Sequence, residues 1–315
     1  MGLVTALKAM GRAFFYGIAD SLKFHNTMIF LVTSSVIRRN VLMCIVLNGL
    51  IFLGSYYFLH LAIRPLLETI LAFDPIGIAL TEKPEPTQIL VIRFFFSLYQ
   101  ILWLYPIYFL SYILSAIWYQ AIVDATYKII DEPRRKFGNV QQMEFVSEKL
   151  YYFFLTLGLY LQMFALTFVP VVGVWLCFLH VCWLYSLYSF EYRWEKQGTR
   201  LVSRLMYFEK NWAYFFGFGF PLGIVTIQFP NLVQYGLYAL TAPAYIMMAI
   251  TARPIGPKLT KEPRTNATAE GFRLPIYMFP KLFANYASHC CCGADSSASS
   301  YRKSEPSDTP FLRNE

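Results

Sequence analysis

The sequence predicts an all-α, polytopic membrane protein, on the evidence of two long uncharged segments and of the composition. Residues 150–190 and 212–252 contain no Asp, Glu, Lys or Arg. Either segment would be about 60 Å long as one helix, twice the roughly 30 Å thickness of the hydrocarbon core of a bilayer. Proline cannot donate a backbone hydrogen bond. Pro170 and Pro230, near the two midpoints, therefore predict that each segment folds back as a helical hairpin.

The composition agrees with this class. Apolar residues make up 57% of the chain and charged residues 15%, whereas soluble domains carry about 25% charged residues. The net charge of +8 does not indicate a nucleic-acid partner, because the basic residues lie between apolar runs, as in cytoplasmic loops of membrane proteins. We recognise no catalytic, metal-binding or cofactor-binding arrangement of residues. The predicted partner is the lipid bilayer, and no enzyme activity is expected.

Residues 1–40 form the first predicted region, an amphipathic, cytosol-facing segment. Its apolar residues recur at spacings of three and four, which predicts a helix with one apolar face. Two interpretations stay open: the helix lies in the headgroup region of the membrane, or it packs on the rest of the protein. The stripe consists of Leu3, Leu7, Met10, Phe14, Ile18 and Leu22.

Residues 41–252 form the predicted membrane domain, which begins with two long spans. The first covers residues 41–63, and a polar connection follows over residues 64–87. The second run, residues 88–118, is too long for a perpendicular span. It must tilt, bend at Pro106, or extend beyond the membrane.

The two hairpins complete the membrane domain, and their depth is open. Their uncharged turns, residues 169–173 and 228–231, fit hairpins that cross the bilayer fully and also hairpins that penetrate only halfway. Backbone within the bilayer must be buried in protein. Half-penetrating hairpins would therefore need tight packing, for which a homo-oligomer is one solution.

Residues 253–315 are predicted to be a flexible cytosolic tail, rich in Pro, Thr and Lys and then in Ser. Three adjacent cysteines follow an aromatic and basic stretch of this tail. They are candidate palmitoylation sites, and the alternative is a set of free thiols in a reducing cytosol. These residues are Cys290, Cys291 and Cys292.

The distribution of basic residues predicts the orientation. The tail carries nine Lys and Arg residues and the segment before the first span carries five, whereas residues 64–87 carry two Lys or Arg and four acids. Residues 119–149 and 191–211 carry five each. Because basic loops stay in the cytosol, we expect both termini and these two loops to be cytosolic, and residues 64–87 to be lumenal.

A family resemblance lies in residues 184–194, LYSLYSFEYRW, and 208–221, FEKNWAYFFGFGFP. These two stretches of sequence resemble the etoposide-induced protein family, which consists of endoplasmic-reticulum membrane proteins that act in autophagy. The resemblance implies a non-enzymatic, multi-pass protein required for autophagosome formation or maturation, working with other autophagy or endoplasmic-reticulum membrane proteins. The family is more distantly similar to the bacterial CysZ sulfate permeases, whose fold implies two long transmembrane helices and two pairs of half-penetrating helices. Two alternative functions are a small-anion channel or permease and a membrane-shaping protein.

Two places carry candidate site residues. In CysZ-type proteins a twin arginine before the first span, together with helix amides, helps to bind sulfate. Arg38 and Arg39 occupy this place, with simple cytosolic anchoring as the alternative. At the end of a membrane helix lie four candidate partner-docking residues, for which the alternative is a charged and aromatic helix end at the interface. They are Glu191, Tyr192, Arg193 and Trp194.

Small residues on an aromatic helix predict close packing between helices. Gly217, Gly219 and Gly223 would let another backbone approach the helix that carries them. Cys177 and His180 lie three residues apart, but a metal site needs more converging ligands than these two. We therefore expect both side chains to be packed in the interior.

Overall fold

The computed structural model describes residues 3–66, 69, 86–130, 141–254 and 274–292, and within these ranges all the regular elements are helices. This confirms the all-α prediction. The helices are α1 (Leu3–Ser21), α2 (Phe24–Thr33), α3 (Ser35–Leu66), α4 (Pro86–Tyr99), α5 (Tyr105–Ile130), α6 (Gln141–Leu166), α7 (Val172–Lys196), α8 (Leu201–Lys210), α9 (Trp212–Thr226), α10 (Asn231–Thr251) and α11 (Met278–Cys292).

The helices belong to two compact units that interleave along the chain. Unit 1 comprises Met1–Lys23, Pro133–Gly223 and Ala249–Glu315, and unit 2 comprises Phe24–Glu132 and Ile224–Met248. The three predicted regions, residues 1–40, 41–252 and 253–315, divide the chain into membrane and cytosolic parts, and this division stays a prediction. The two compact units divide the chain differently, because segments that are far apart in sequence pack in the same unit.

In unit 2, α3 is the first long apolar helix. It runs for 32 residues, and Ser34 caps its start, with a hydroxyl that accepts a hydrogen bond from the Ile37 backbone amide at 3.4 Å. Serine at this position satisfies one of the amides that a helix start leaves without a partner. The helix widens into π-helical turns at Ile45–Leu53 and again at Leu59–Ile63.

The second long helix is made of α4 and α5, joined by a π-helical segment at Gln100–Leu104. The chain stays helical through Pro106, which follows that segment and has no amide hydrogen to donate. Arg93–Ile130 is a 38-residue apolar helix, about 57 Å long and therefore longer than the bilayer core. Tilting, bending at Pro106 and extension beyond the hydrocarbon core would each accommodate this length, and all three stay open.

Two apolar clusters hold the long helices of unit 2 together. One joins α2 and α3 to α5 and α10, and the other joins the middle of α3 to the start of α10. The first contains Phe30, Ile37, Ile122, Ala125 and Met247. The second contains Phe52, Leu53 and Val233.

Unit 1 contains the first hairpin, α6 and α7, and this confirms the turn predicted at Pro170. The turn occupies residues 167–171, where the Val172 amide donates to the Pro170 carbonyl at 2.7 Å. Val171, between them, has a φ of 61°, a strained conformation for a β-branched residue. Gly173 completes the tight turn, because an added Cβ there would overlap the Leu166 carbonyl.

The second hairpin, α9 and α10, turns at residues 227–230 as predicted. The Pro230 carbonyl accepts the first hydrogen bond of α10, from the Gln234 amide at 2.9 Å. Pro221 and Pro243 lie inside α9 and α10. Of these three prolines, only Pro230 lies outside a helix, directly before the start of α10, where its missing amide hydrogen interrupts no intrahelical bond.

Four helices in the described ranges are long and apolar enough to span a membrane: Ser35–Leu66, Arg93–Ile130, Val172–Lys196 and Leu232–Thr251. The other arm of each hairpin has a shorter apolar part. The apolar parts of these arms are Leu150–Leu166 and Trp212–Thr226, about 25 and 22 Å long and below the bilayer core thickness. Full and partial crossing of the hairpins both stay open.

Both ends of the chain contribute helices to unit 1. In α1, Phe14 stacks on Phe216 of α9, with ring centroids 5.2 Å apart, whereas Leu7 and Phe15 are exposed. One side of α1 thus packs on the rest of the protein. Its other side exposes apolar residues that could lie in the headgroup region.

In α11, Pro280 lies close to Gly158 of α6. The Tyr151 hydroxyl of α6 also bonds to Asn285 of α11 at 3.0 Å. Part of the segment predicted as a flexible tail is therefore a packed helix. The rest of the predicted tail, apart from the residues up to 254 and from 274 to 292, lies outside the described residues.

Candidate functional site

Among the described residues of unit 1, three buried carboxylates lie close to helix ends. Asp20 is next to the last residue of α1, Glu191 lies in the last turns of α7 and Glu209 is next to the last residue of α8, and their exposed fractions are 5%, 7% and 1%. Burying a carboxylate is costly unless it is paired and hydrogen-bonded. The partners of these three side chains therefore identify which segments must stay together.

Glu191 pairs with Arg204, which joins α7 to α8. The Arg204 guanidinium donates to Glu191 Oε1 at 2.5 Å and to the Thr199 carbonyl at 2.7 Å. Arg204 is only 6% exposed, so water screens this pair little. The sequence pattern drew attention to Glu191 but gave no signal for Arg204, which lies 13 residues further along.

Arg193 has a different role in the same helix. Its guanidinium donates to the carbonyls of Ala249 at 2.9 Å and Ala252 at 2.6 Å. These carbonyls lie at the C-terminal end of α10, where helix carbonyls lack intrahelical partners and carry partial negative charge. Arg193 therefore caps α10.

Glu209 holds the tail of the chain. Its carboxylate accepts hydrogen bonds from the Lys281 ammonium at 3.2 and 3.3 Å and from the Tyr277 amide at 3.2 Å. Its own backbone carbonyl accepts from the Leu274 amide at 3.3 Å. One residue thus fixes the start of α11 on α8.

Asp20 joins the N-terminal helix to the same unit. It accepts hydrogen bonds from Lys23 at 2.5 Å, from the Tyr214 hydroxyl at 2.6 Å and from the Arg253 amide at 3.2 Å. These contacts connect α1 with α9 and with the residues after α10. Glu191, Glu209 and Asp20 are together called the carboxylate junction below.

An aromatic cluster packs beside the carboxylate junction, with Phe215 at its centre. Phe208 stacks on Phe215 with ring centroids 4.3 Å apart and planes 8° apart, and Phe190 and Trp194 meet the same ring edge-on at 5.1 and 5.8 Å. Such pairs add stability beyond their burial. The cluster accounts for the burial of Phe190, Trp194 and Phe208 in this chain.

The predicted glycine contacts are confirmed. An added Cβ would overlap the Phe14 backbone at Gly217, the Cys182 carbonyl at Gly219 and the Cys182 sulfur at Gly223. Glycine lets the backbones of α1 and α7 approach α9 closely. Any larger residue at Gly217 or Gly219 would have to push a helix backbone aside.

Burial also affects two tyrosines of this region that lie outside the predicted spans. It raises the pKa of Tyr207 to about 12, against the opposing charge of Arg193. Burial also raises the pKa of Tyr277 well above its ordinary value, and Glu209 and Glu191 act in the same direction. Both phenols therefore stay neutral at physiological pH.

Of the four predicted docking residues, only Glu191 belongs to the carboxylate junction, and the other three follow it in α7. Glu191 and Trp194 are buried, while Tyr192 and Arg193 are half-buried. Partner docking at these residues stays a prediction, and it would depend on Tyr192 and Arg193 for accessible surface.

Arg38 and Arg39, the candidate anion-binding residues, lie in the first turns of α3, in unit 2, and both are exposed. The Arg38 guanidinium donates to the carbonyls of Leu31 at 3.0 Å and Val32 at 2.8 Å. These are final carbonyls of α2, so Arg38 caps that helix. Anion binding by the pair stays a prediction.

His180 is buried, with its Nδ1 2.7 Å from the Leu176 carbonyl and its Nε2 2.9 Å from the Gln162 amide nitrogen. This is the interior packing predicted for it, whereas Cys177 is only half-buried. Within the ranges that the structure describes, no group of His, Cys, Asp or Glu side chains could hold a metal ion. The predicted palmitoylation sites lie at the end of α11, and their side chains are outside the described residues: Cys290, Cys291 and Cys292.

Long apolar helices, hairpins that turn at their predicted prolines and a buried junction at the helix ends define a multi-pass, all-α membrane protein. The chain belongs to the family described as Sulfate transporter CysZ/Etoposide-induced protein 2.4, whose model matches residues 24–233. This confirms the family resemblance found in the sequence.

Three relatives are similar to the chain. Protein EI24 homolog of Dictyostelium discoideum is 30% identical over 287 residues, which cover 90% of this chain and 85% of that protein. Protein EI24 homolog of Arabidopsis thaliana is 28% identical over 298 residues, with coverages of 83% and 89%. Ectopic P granules protein 4 of Caenorhabditis elegans is 29% identical over 151 residues, 47% of each chain. No solved structure matches the chain.

Proposed function

We propose that this protein is a non-enzymatic, multi-pass protein of the endoplasmic reticulum membrane that is required for autophagosome formation or maturation. The observation that carries the proposal is membership of the etoposide-induced family over residues 24–233, since the resemblance to that family implies a role in autophagy. The apolar helices support the membrane part of the proposal independently. Its partners are then other autophagy or endoplasmic-reticulum membrane proteins.

The carboxylate junction supports an orientation with both termini in the cytosol. Asp20 ties the end of α1 to α9, and Glu209 ties α8 to the segment that precedes α11. The N-terminal helix, the loop over residues 191–211 and the tail thus meet in one unit. They are also the segments rich in basic residues, which favours the cytosolic side for all three.

Loss of the protein tests the proposed function directly. In cells that lack it, autophagic cargo should accumulate, and the wild-type chain should restore clearance. The variant Glu209→Gln should restore clearance less well, because it weakens the attachment of the tail, whereas Lys210→Gln at the exposed neighbouring position should act like wild type. Normal cargo clearance in the cells lacking the protein would contradict the proposal.

Glycosylation tests the orientation. The natural acceptor Asn266-Ala267-Thr268 should stay unmodified in cells, whereas an acceptor inserted within residues 64–87 should receive a glycan, because only lumenal acceptors are glycosylated. A glycan on Asn266 would overturn the cytosolic position of the tail.

A second candidate function is a small-anion channel or permease, favoured by the sulfate transporter in the family description. Sulfate or chloride flux into liposomes that contain the purified protein would measure it. Flux that falls when Arg38 and Arg39 are both changed to Ala would support an anion site there, and flux that ignores those changes would remove the site.

A third candidate is membrane shaping, favoured by the apolar tip of the first hairpin. Phe168 and Val171 in its turn are 73% and 78% exposed, which suits a tip that ends in lipid better than one in water. Hairpins that enter one leaflet as wedges would tubulate liposomes, so liposomes that keep their shape at high protein density would count against this role.

A further inference from the structure

A groove of about 360 Å³ runs between α3 and the second long helix in unit 2. Its volume lies in the range of about 300–1,000 Å³ that small-molecule sites occupy. Its walls include Leu59 and Ile63 from α3, and Phe96, Leu98 and Leu102 from the facing helix. None of these residues belongs to the carboxylate junction or to the candidate anion site.

The groove presents an apolar wall because its polar atoms bond inside the protein. The Tyr99 hydroxyl donates to the Ser55 carbonyl at 3.3 Å, and the Trp103 indole donates to the Ser55 hydroxyl at 3.1 Å. Both rings still line the groove. An occupant therefore meets hydrocarbon and aromatic surface, which selects for an apolar chain.

Two π-helical segments lie at this groove. Leu59–Ile63 contributes Leu59 and Ile63 to the wall, and Gln100–Leu104 contributes Leu102 and Trp103. A π-helical turn displaces the side chains that follow it relative to a regular helix, and such turns are frequent at functional sites.

Two arginines lie next to wall residues of the groove along the chain. Arg64 directly follows the wall residue Ile63, and Arg93 lies three residues before Phe96, on the same face of α4. Both arginines are exposed. Guanidinium groups are well suited to bind phosphate through paired hydrogen bonds.

We propose that this groove binds one phospholipid of the bilayer, with an acyl chain along the wall and its phosphate at Arg64 and Arg93. The two features fit one molecule, because a phospholipid carries an anionic phosphate at one end of a long hydrocarbon chain. A sterol or a detergent would use the wall but not the arginines. The site does not depend on the proposed role in autophagy.

Photo-crosslinking of the purified, full-length protein in vesicles tests the site. The probe is phosphatidylcholine or phosphatidylserine with a photoactivatable diazirine in one acyl chain, and mass spectrometry maps the crosslinked residues. We expect crosslinks to concentrate on the groove residues over exposed, lipid-facing residues such as Leu110, which is 49% exposed on the same long helix. An even distribution over both surfaces in the wild-type protein would overturn the proposal without any variant.

Matched variants separate the two halves of the site. Leu98→Trp should fill the groove and lower crosslinking of the groove residues to the level of exposed, lipid-facing residues. Leu110→Trp should leave crosslinking of the groove residues unchanged. Arg93→Gln should lower groove crosslinking by phosphatidylserine about fivefold, the equivalent of roughly 1 kcal/mol. Elution of each variant as a single species on size exclusion verifies its fold.

Two further crosslinking results would count against the proposed phospholipid site. Groove crosslinking that survives Arg93→Gln and Arg64→Gln together would show that the acyl chain alone holds the probe and that the arginines do not bind its phosphate. Equal loss with Leu98→Trp and Leu110→Trp would show general lipid contact. Either result would overturn the proposed phospholipid site, and neither bears on whether cargo clearance needs the protein.

Discussion

Unit 1 and unit 2 are both bundles of apolar helices, yet their helices are joined by different chemistry. In unit 1, buried charges connect helix ends, as in the Glu191–Arg204 pair. In unit 2, neutral groups connect the long helices. There, the Asn48 amide donates to the Ser115 hydroxyl at 2.9 Å and to the Cys44 carbonyl at 3.1 Å.

The difference follows from where each contact lies along the helices. The charged contacts of unit 1 lie at the ends of α1, α7 and α8, which the proposed orientation puts at the cytosolic face, whereas Asn48 and Ser115 lie within long apolar spans. A charge in the hydrocarbon core is expensive, while a neutral hydrogen bond there is tolerated and contributes modestly. Stability should therefore respond more strongly to substitutions in unit 1 than to those in unit 2.

The largest effect should come from Arg204→Met, which leaves the Glu191 carboxylate buried without this partner. Removing one member of a buried ion pair costs about 3–5 kcal/mol, measured as a loss of thermal stability in detergent. Arg200→Met, at an exposed position of the same region, should change stability by less than about 0.5 kcal/mol. The double variant Glu191→Leu with Arg204→Met should recover most of the loss. A single variant as stable as wild type would contradict the assigned role of the pair.

Next in size should be Glu209→Gln, which removes the charge that holds Lys281. Hydrogen bonds to charged groups contribute about 1.5–3 kcal/mol, and the loss should fall on the attachment of α11. Limited proteolysis should therefore cut the tail faster in this variant, with Lys210→Gln as the control. Unchanged cleavage would mean that the contacts between α6 and α11 alone hold the tail.

Two glycines of α1 offer a sharper test of close packing in unit 1. An added Cβ at Gly17 would overlap the Tyr214 carbonyl of α9, whereas at Gly11 it meets nothing within 4 Å. Gly17→Ala should cost about 1–3 kcal/mol from overpacking. Gly11→Ala should stabilise the helix by up to about 1 kcal/mol. Melting temperatures that move in the same direction for both variants would argue against close packing of α1 on α9.

The smallest effect should come from unit 2. Asn48→Leu removes the hydrogen bond to Ser115, and such bonds between membrane helices contribute about 0.6 kcal/mol on average and up to about 1.7. Leu50→Ala, at a 72% exposed position of the same helix, serves as the control. A loss for Asn48→Leu as large as that for Arg204→Met would remove the contrast between the two units.

Several features of the fold were accessible from the sequence because their causes act locally. The absence of charge marks the hairpin arms, and the turns follow at Pro170 and Pro230 because proline at these positions ends a helical run. Glycine at Gly217 and Gly219 indicated close backbone packing because a side chain would exclude it.

The carboxylate junction could be found only in part. Glu191 lies in residues 184–194, which carry the family resemblance, and was predicted as a partner-docking residue. That prediction did not include its pairing with Arg204. Asp20 and Glu209 were not among the predicted site residues. Their partners come from the other end of the chain, Arg253 and Lys281 respectively, and no spacing in the sequence connects such positions.

The sequence by itself determined that lipid surrounds this chain, where its helical hairpins turn and which loops are basic, because hydropathy, proline and charge act through neighbouring residues. Only the tertiary structure decided that Arg204 pairs with Glu191, that Lys281 secures the tail on α8 and that α3 and α4 enclose an aromatic groove. These features depend on which helices meet in space. Packing of the whole chain selects those contacts, because a buried charge is stable only where the fold supplies its partner.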